Sequence, residues 1–255
     1  MKKKRNLIFL CLLILGVLLI AGCSPKPPVM VTFDSQGGSA VDSQIVDHDE
    51  KVTEPTAPTK EGYTFGGWYK ESECTNAWDF YGDTVTADVT LYAKWTPLYT
   101  LRETGPAGGF IFYIKEGGYS DGWMYLEAAP HDQSASQVWS NVTDVAVGGT
   151  SANIGTGQAN TTAIIVQSGH TGSAAQICND LTVGGYSDWF LPSKDELNKI
   201  YVNLHIEGVG GFESDLYWSS SENNAISAWG QNFISVFQSY SYKSFSRRVR
   251  AVRVF

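Results

Sequence analysis

Short runs of β-branched and aromatic residues, separated by Gly, Pro and Asp, fill residues 29–96 and predict a small β-rich module. Its aromatic residues include seven candidates for a ring surface: Tyr63, Phe65, Trp68, Tyr69, Trp78, Tyr92 and Trp95. Such rings serve either a sugar-stacking surface or a core, and a module of fewer than about 70 residues needs them for its core. We therefore expect most of these rings to be buried.

The chain begins with a basic stretch (KKKR), a long apolar run (LIFLCLLILGVLLI) and then AGC. This run is short for a membrane-spanning helix, and small residues directly before a cysteine are typical of a bacterial lipoprotein signal. We predict a signal peptide over 1–22, lipidation of Cys23 and a tether over 23–28. The alternative is an uncleaved signal anchor. The predicted location is extracytoplasmic, lipid-anchored to the bacterial envelope at the outer membrane or cell surface.

Charge argues against one class of partner. Loss of the four basic residues of the signal reduces the basic residues from 18 to 14, against 26 acidic ones, so the net charge becomes −12. A general polyanion binder has the opposite balance, and we expect no nucleic-acid partner.

Cysteine and histidine usage predicts no metal site and no cofactor. Apart from the cysteines of the signal and the lipid anchor, only Cys74 and Cys178 remain. They form either one disulfide or two free thiols, and the sequence leaves both alternatives open. The four histidines are scattered, without the close spacing of zinc ligands. A calcium ligand set is not recognisable either; at most a partial one is present in Asp215, Glu222 and Asn223.

The second segment, 98–255, mixes strands and helices. GGFIFYI and GWMYLEAAP flank a glycine-rich turn and predict two antiparallel strands. Residues 140–162 are poor in apolar side chains and are predicted to form a loop. The following stretch, 161–181, predicts a helix broken at 169–172.

The motif DWFLPSKDELNKIY predicts the start of a further helix at Ser193 or Lys194. Ser193 can cap this helix while Glu196 reaches back to it, and four later residues form one apolar face: Leu197, Ile200, Tyr201 and Leu204. The neighbours Asp195 and Glu196 are better explained by the helix start than by a catalytic carboxylate pair, because adjacent residues point to different sides of a helix.

Three phrases of the first module, VTFDSQGGS, KEGYTFGGWY and TVTADVTLYAKW, resemble the internalin B-repeat, also called the Listeria–Bacteroides repeat. This resemblance covers 29–96. It implies a β-grasp-like module that spaces or lifts a functional head in a surface protein.

Further phrases, GGFIFYI, WFLPSKDEL, YWSSSE, AWGQNF and VRAVR, resemble the C-terminal domain of the Legionella collagen-like adhesin. The resemblance implies that 98–255 has an α+β C-type-lectin-like fold, in which the first and last strands pair and two helices flank the sheet. The adhesin binds sulfated glycans and can trimerise. Its collagen-like stalk is absent here and the chain is acidic, so oligomeric state and ligand stay open.

Residues 217–246 contain eight aromatic residues and nine serines, a mixture close to that of antibody binding loops. Trp218, Trp229 and Phe233 belong to the family phrases and are assigned to the framework. The predicted ligand-binding residues are Asn224, Ile226, Ser227, Ser235, Phe237, Ser239, Tyr240, Tyr242, Lys243, Phe245 and Arg247. For Lys243 and Arg247 a second interpretation is open, in which the basic residues of the terminal strand point outward and offset nearby acids.

The sequence thus predicts a cell-surface, adhesin-like lipoprotein that binds an extracellular glycan or protein and is not an enzyme. Two alternatives are a structural envelope protein and an enzyme on the fold of the formylglycine-generating enzymes, whose paired cysteines or copper are not matched here. The Tyr/Ser mixture is also similar to that of lectin-like domains diversified by retroelements, which a template repeat with adenine-only mismatches beside the gene would test.

Overall fold

The computed structural model describes residues 26–255, which divide into two compact units. One unit contains the described residues up to 36 together with 40–56 and 67–93, and the other contains 37–39, 57–66 and 94–255. The predicted signal peptide and its Cys23 lie outside the described residues. Among the helices that are described, none combines the length and apolarity needed to cross a membrane.

The first sheet confirms that the N-terminal module is β-rich. Its strands are β1 (Val29–Asp34), β2 (Gln44–Val46), β3 (Tyr63–Tyr69) and β4 (Val89–Pro97), in the order β2-β1-β4-β3. β1 pairs antiparallel with β2 and parallel with β4, and every second side chain of β1 is buried. Phe33 packs edge-on against Trp68 with ring centroids 4.8 Å apart. Of the seven rings expected in the core, Trp68 is fully buried and the other six are half-buried.

Two further sheets form the second unit. Their strands are β5 (Phe110–Ile114), β6 (Tyr125–Ala128), β7 (Ser134–Val138), β8 (Leu216–Asn224), β9 (Ser227–Asn232), β10 (Gln238–Tyr242), β11 (Ser246–Val249) and β12 (Val252–Val254). One sheet has the order β10-β9-β8-β11-β7 and the other β12-β6-β5. The predicted antiparallel pair is confirmed as β5 and β6.

Three short helices accompany these sheets: α1 (Gly157–Ile165), α2 (Ala174–Asn179) and α3 (Lys194–Ile200), the last followed by a π-helical turn (Tyr201–His205). The predicted break between α1 and α2 is confirmed, but α1 begins inside the stretch predicted to be a loop. A Cβ on Gly157 would lie 2.7 Å from the Phe190 ring. The helix therefore packs through small and polar residues, which apolar periodicity cannot detect.

The predicted α+β C-type-lectin-like fold class is wrong. Within residues 26–255, twelve strands in three sheets stand against α-helices of only six to nine residues. The first and last strands of the second unit do not pair with each other either, because β6 lies between β5 and β12. The apolar segments that predicted helices form helices of only about two turns.

The helix start at Ser193 is confirmed as a capping box. The Ser193 hydroxyl accepts from the Glu196 N–H at 3.3 Å, and Glu196 Oε2 accepts from the Ser193 N–H at 2.7 Å. Glu196 Oε1 accepts from the Gly155 N–H at 2.7 Å. The carboxyl group is fully buried, and burial raises its pKa to about 7. The predicted apolar face of α3 is buried as well.

The terminal stretch RVRAVRVF forms two strands in two different sheets instead of one strand with outward-pointing basic residues. Arg250, between β11 and β12, is buried and donates to Asp132 Oδ1 at 2.7 Å. Arg253 is buried too, with Asp188 at 2.8 Å and Glu127 at 3.3 Å. The basic residues do offset the charges of nearby acidic residues, as expected, but the side chains of Arg250 and Arg253 point inward.

Candidate functional site

An open pocket of about 290 Å³ lies between the β8–β9 turn and strand β10 with the turn that follows it. We call it the Tyr240 pocket. Its lining residues are Asn224, Ile226, Ser227, Tyr240, Ser241, Tyr242 and Phe245. Six of these seven are among the residues predicted to bind a ligand. Four of them expose large apolar side chains: Tyr240 by 60%, Tyr242 by 54%, Phe245 by 47% and Ile226 by 46%.

One wall of the pocket is the tight turn between β8 and β9. Asn224 Oδ1 accepts three hydrogen bonds, from the Ile226 N–H at 3.0 Å, the Ser227 N–H at 3.1 Å and the Ser227 hydroxyl at 2.9 Å. An Asn side chain that bonds the backbone two residues ahead is the usual device for holding a turn. The turn is therefore preformed, with the Ile226 side chain held out toward solvent.

The opposite wall is β10 and the turn that follows it. Tyr240 packs edge-on against Trp229 with ring centroids 5.6 Å apart, and Tyr242 packs edge-on against Phe245 at 5.4 Å. The Phe245 N–H donates to the Tyr242 carbonyl at 2.9 Å, which closes the turn. Each exposed ring is thus braced by a second ring, which lowers the entropy that binding would cost.

Lys243, between Tyr242 and this turn, is placed inside the protein and not on the pocket surface. Its ammonium group is fully buried and donates to Glu222 Oε1 at 2.6 Å and to the Val145 carbonyl at 3.0 Å. The Glu222 carboxylate also accepts from the backbone N–H groups of Val147 at 2.9 Å and Gly148 at 3.3 Å. This ion pair fixes loop residues 145–148 to β8, so Lys243 supports the site from within.

Arg247 is half-buried behind the pocket. Its guanidinium lies 5.4 Å from the Phe245 ring centroid and donates to Ser241 Oγ at 3.4 Å. The buried Nε has no hydrogen-bond partner among the described residues, and no carboxylate pairs with this side chain there. Arg247 therefore adds an uncompensated positive charge at this wall.

The remaining predicted residues lie along β10 and its preceding turn. Asn232 Oδ1 accepts from the N–H groups of Ile234 at 2.8 Å and Ser235 at 3.3 Å, which shapes the turn. Phe237, 72% exposed, projects from this turn together with Ile234 and Val236, while Ser239 is exposed on β10. None of these lines the Tyr240 pocket.

The framework assignment holds for the residues of the family phrases. Trp218 and Phe233 are buried and Trp229 is half-buried. The Trp218 indole donates to the Gln137 carbonyl at 2.9 Å, which satisfies its only polar group. These residues hold the sheet that presents β10.

The residues considered as a partial calcium set have other partners. Asp215 pairs with Arg248 at 3.2 Å, Glu222 pairs with Lys243, and Asn223 donates to Ser227 Oγ at 3.0 Å. No group of three or more His, Cys, Asp or Glu able to hold a metal is found in residues 26–255. Cys178 is a free and fully buried thiol, so the disulfide left open between it and Cys74 is not formed.

Sequence reasoning missed two residues at this site. Ser241 is not among the predicted residues, yet it lines the pocket together with Tyr240 and Tyr242. Lys194, from α3, has its ammonium group 3.9 Å from the Trp229 ring centroid. No local signal in the sequence links Lys194 to a tryptophan 35 positions away.

Comparisons with known proteins match both parts of the chain. The sequence profile of the Listeria–Bacteroides repeat domain matches residues 30–94, and that of the Lcl C-terminal domain matches residues 127–253. Over 134 residues the chain is 34% identical to a protein of Evansella cellulosilytica provisionally named a Gly-rich membrane protein, covering 46% of this chain and 15% of that one.

Two further matches are shorter, and each is as long as the segment matched by the repeat profile. Over 65 residues the chain is 48% identical to a second Evansella cellulosilytica protein, provisionally named a membrane protein, covering 26% of this chain and 10% of that one. Over 65 residues it is 49% identical to internalin H of Listeria monocytogenes, covering 25% and 12%. The chain thus spans only 10 to 15% of the length of these relatives.

Both resemblances deduced from the quoted phrases are confirmed by these profiles. The Tyr240 pocket lies inside the second matched segment. Residues 30–94 are thus a Listeria–Bacteroides repeat, and residues 127–253, which contain the pocket, are an Lcl C-terminal domain.

Proposed function

We propose that this protein is a cell-surface protein of the bacterial envelope that binds an external ligand, a glycan or a protein, at the Tyr240 pocket. The observation that carries the proposal is the exposure of four apolar side chains on preformed turns around one pocket. Water-exposed apolar clusters of this kind usually mark an interaction site, and braced tyrosines with serines suit both sugar stacking and protein contact.

The two domains support a cell-envelope location and an adhesin-like role, since one is a repeat shared with internalin H and the other an Lcl C-terminal domain. In this proposal Cys23 carries the lipid anchor, and the repeat spaces the binding domain from the membrane. Binding, not catalysis, is the proposed activity, because the exposed pocket is built from rings and hydroxyl groups.

The test is binding of residues 24–255 to arrays of glycans and to intact bacterial and host cells. Tyr240→Ala/Tyr242→Ala removes the two largest exposed rings of the pocket and is expected to weaken binding at least about tenfold. A matched control removes two exposed tyrosines elsewhere, Tyr81→Ala/Tyr119→Ala, and should bind like the unmodified chain.

Equal binding by the pocket variant and the control would contradict the proposal. So would the absence of binding to every glycan and every cell surface. Thermal melting of each variant shows whether a loss of binding reflects the surface or the fold.

A further inference from the structure

The strand β10 is an edge of the five-stranded sheet, with β9 on one side and no strand of the described chain on the other. Its register against β9 pairs Ser239 with Gly230 and Ser241 with Ala228. An open edge carries backbone donors and acceptors that can pair with another chain, and proteins usually cover or charge such edges.

Two backbone hydrogen bonds show which groups face outward. The Asn232 N–H donates to the Phe237 carbonyl at 3.1 Å, and the Lys243 N–H donates to the Ile226 carbonyl at 3.0 Å. Antiparallel pairs alternate, so the odd-numbered residues of β10 bond β9. The N–H and C=O groups of Gln238 and Tyr240 therefore point away from the sheet, as does the N–H of Tyr242.

The Tyr240 pocket borders β10 on its inner side, because Tyr240 and Tyr242 form one wall and the β8–β9 turn, on the β9 side of the strand, forms the other. A strand added beside β10 would place side chains next to the exposed rings of Tyr240 and Tyr242, as cross-strand neighbours. The open edge spans five residues, or roughly 16 Å. This length suits a short extended peptide.

The charges at the edge favour one kind of occupant. Residues 223–255 contain no Asp or Glu. Lys194 lies over Trp229 near one end of β10 and Arg247 bonds Ser241 near the other, and neither has a carboxylate partner in the described part of the chain. The nearby Glu222 is already neutralised by Lys243.

We propose that β10 takes up an extended acidic segment of a partner polypeptide as an added antiparallel or parallel strand, with an apolar side chain of that segment against the exposed rings of Tyr240 and Tyr242. Backbone pairing supplies affinity, and the rings and the two cations supply selectivity. The proposal rests on the proposed binding function and narrows its ligand to an acidic protein segment.

The test separates backbone pairing from ring contact at one position. Random short peptides displayed on phage are selected on immobilised residues 24–255, and the enriched peptides are measured against Tyr240→Ala and Tyr240→Pro. Both variants lose the ring, but only proline removes the outward N–H, and proline is tolerated at an edge position of this kind. Enriched peptides should be acidic and should bind Tyr240→Pro at least about tenfold more weakly than Tyr240→Ala.

A second measurement does not depend on the folding of the proline variant. N-methylation of successive amides of an enriched peptide should abolish binding at every second position only, since alternate N–H groups face β10. Lys194→Gln/Arg247→Gln should weaken binding of the acidic peptide and reduce its dependence on salt.

Selection of no peptides, of basic peptides, or of peptides insensitive to alternate N-methylation would overturn this inference. If Tyr240→Ala/Tyr242→Ala still abolished glycan or cell binding in that case, the proposed function would stand without it. A dimer of residues 24–255 that disappears in Tyr240→Pro would assign the edge to a second copy instead and would likewise overturn the proposal.

Discussion

Basic side chains near the Tyr240 pocket and basic side chains inside the same domain differ in whether they have a carboxylate partner. In the buried set, Lys243, Arg250 and Arg253 each have a carboxylate partner within 3.3 Å. At the pocket, Arg247 and Lys194 have none among the described residues, and the rings are exposed. A basic side chain with a carboxylate partner stabilises the fold, whereas one without such a partner is available to a ligand.

The largest expected effect tests the buried side of this comparison. Lys243→Met leaves Glu222 buried without its cation and should lower the free energy of unfolding by about 3–5 kcal/mol. Urea unfolding monitored by tryptophan fluorescence measures this change. A loss below about 1 kcal/mol would mean that Lys243 acts as a surface residue after all.

The matched control is the double variant Lys243→Met/Glu222→Gln. It removes both charges, so it should regain a large part of the stability lost in the single variant. Failure of this recovery would place the cost in the loop at 145–148 instead of in the unpaired carboxylate.

Glu196 sharpens the comparison because it is a buried carboxyl group held only by N–H groups and a hydroxyl. Its pKa rises from 4.5 to about 7 on folding, so the folded chain retains a proton that the unfolded chain loses in this interval. The contribution of Glu196 to the free energy of unfolding should therefore fall as the pH rises from 4.5 to about 7, by up to about 1.4 kcal/mol per pH unit.

Glu196→Gln should remove this dependence. The measurement is the difference between the unfolding free energies of the unmodified chain and Glu196→Gln at a series of pH values across the interval, which cancels the other carboxylates. A difference that does not change with pH would show that the N–H donors keep Glu196 ionised.

The exposed side of the comparison predicts a small effect on stability. Tyr242→Ser should change the free energy of unfolding by no more than about 0.5 kcal/mol, because its ring is more than half exposed. Thermal melting in the absence of ligand measures this. A larger loss would mean that the ring pair of Tyr242 and Phe245 belongs to the framework.

The smallest expected effect concerns the thiols. Cys178 is fully buried and burial raises its pKa, so it should not react with a thiol reagent until the chain unfolds. Cys74, which is partly exposed, should be modified faster in the native chain. Mass spectrometry after timed labelling checks the order, and equal rates would contradict the burial of Cys178.

Local patterns predicted the local features. The hairpin of β5 and β6, the capping box at Ser193 and most residues of the Tyr240 pocket follow from signals within a few positions of each other. In these cases the decisive interaction is encoded by neighbours in sequence.

The errors arose where a distant residue decides the outcome. Lys243 is buried because its ammonium group pairs with Glu222, 21 positions away, and donates to the Val145 carbonyl, 98 positions away. The residue at the start of α1 is Gly157 because Glu196 and Phe190, more than 30 positions away, leave no room for a side chain there. The predicted α+β fold class was wrong for a related reason. Helix-like periodicity does not reveal that α1 and α2 are so short.

The division of the last basic stretch between two sheets has a consequence for biogenesis. β11 completes the interior of one sheet and β12 forms an edge of the other, and the Phe255 carbonyl accepts hydrogen bonds from Met124 and Tyr125. Neither sheet can therefore be completed before residues 246–255 have been synthesised. A chain interrupted upstream of these residues would leave both sheets incomplete and expose both cores together, so the two sheets form only when the C-terminal residues are present.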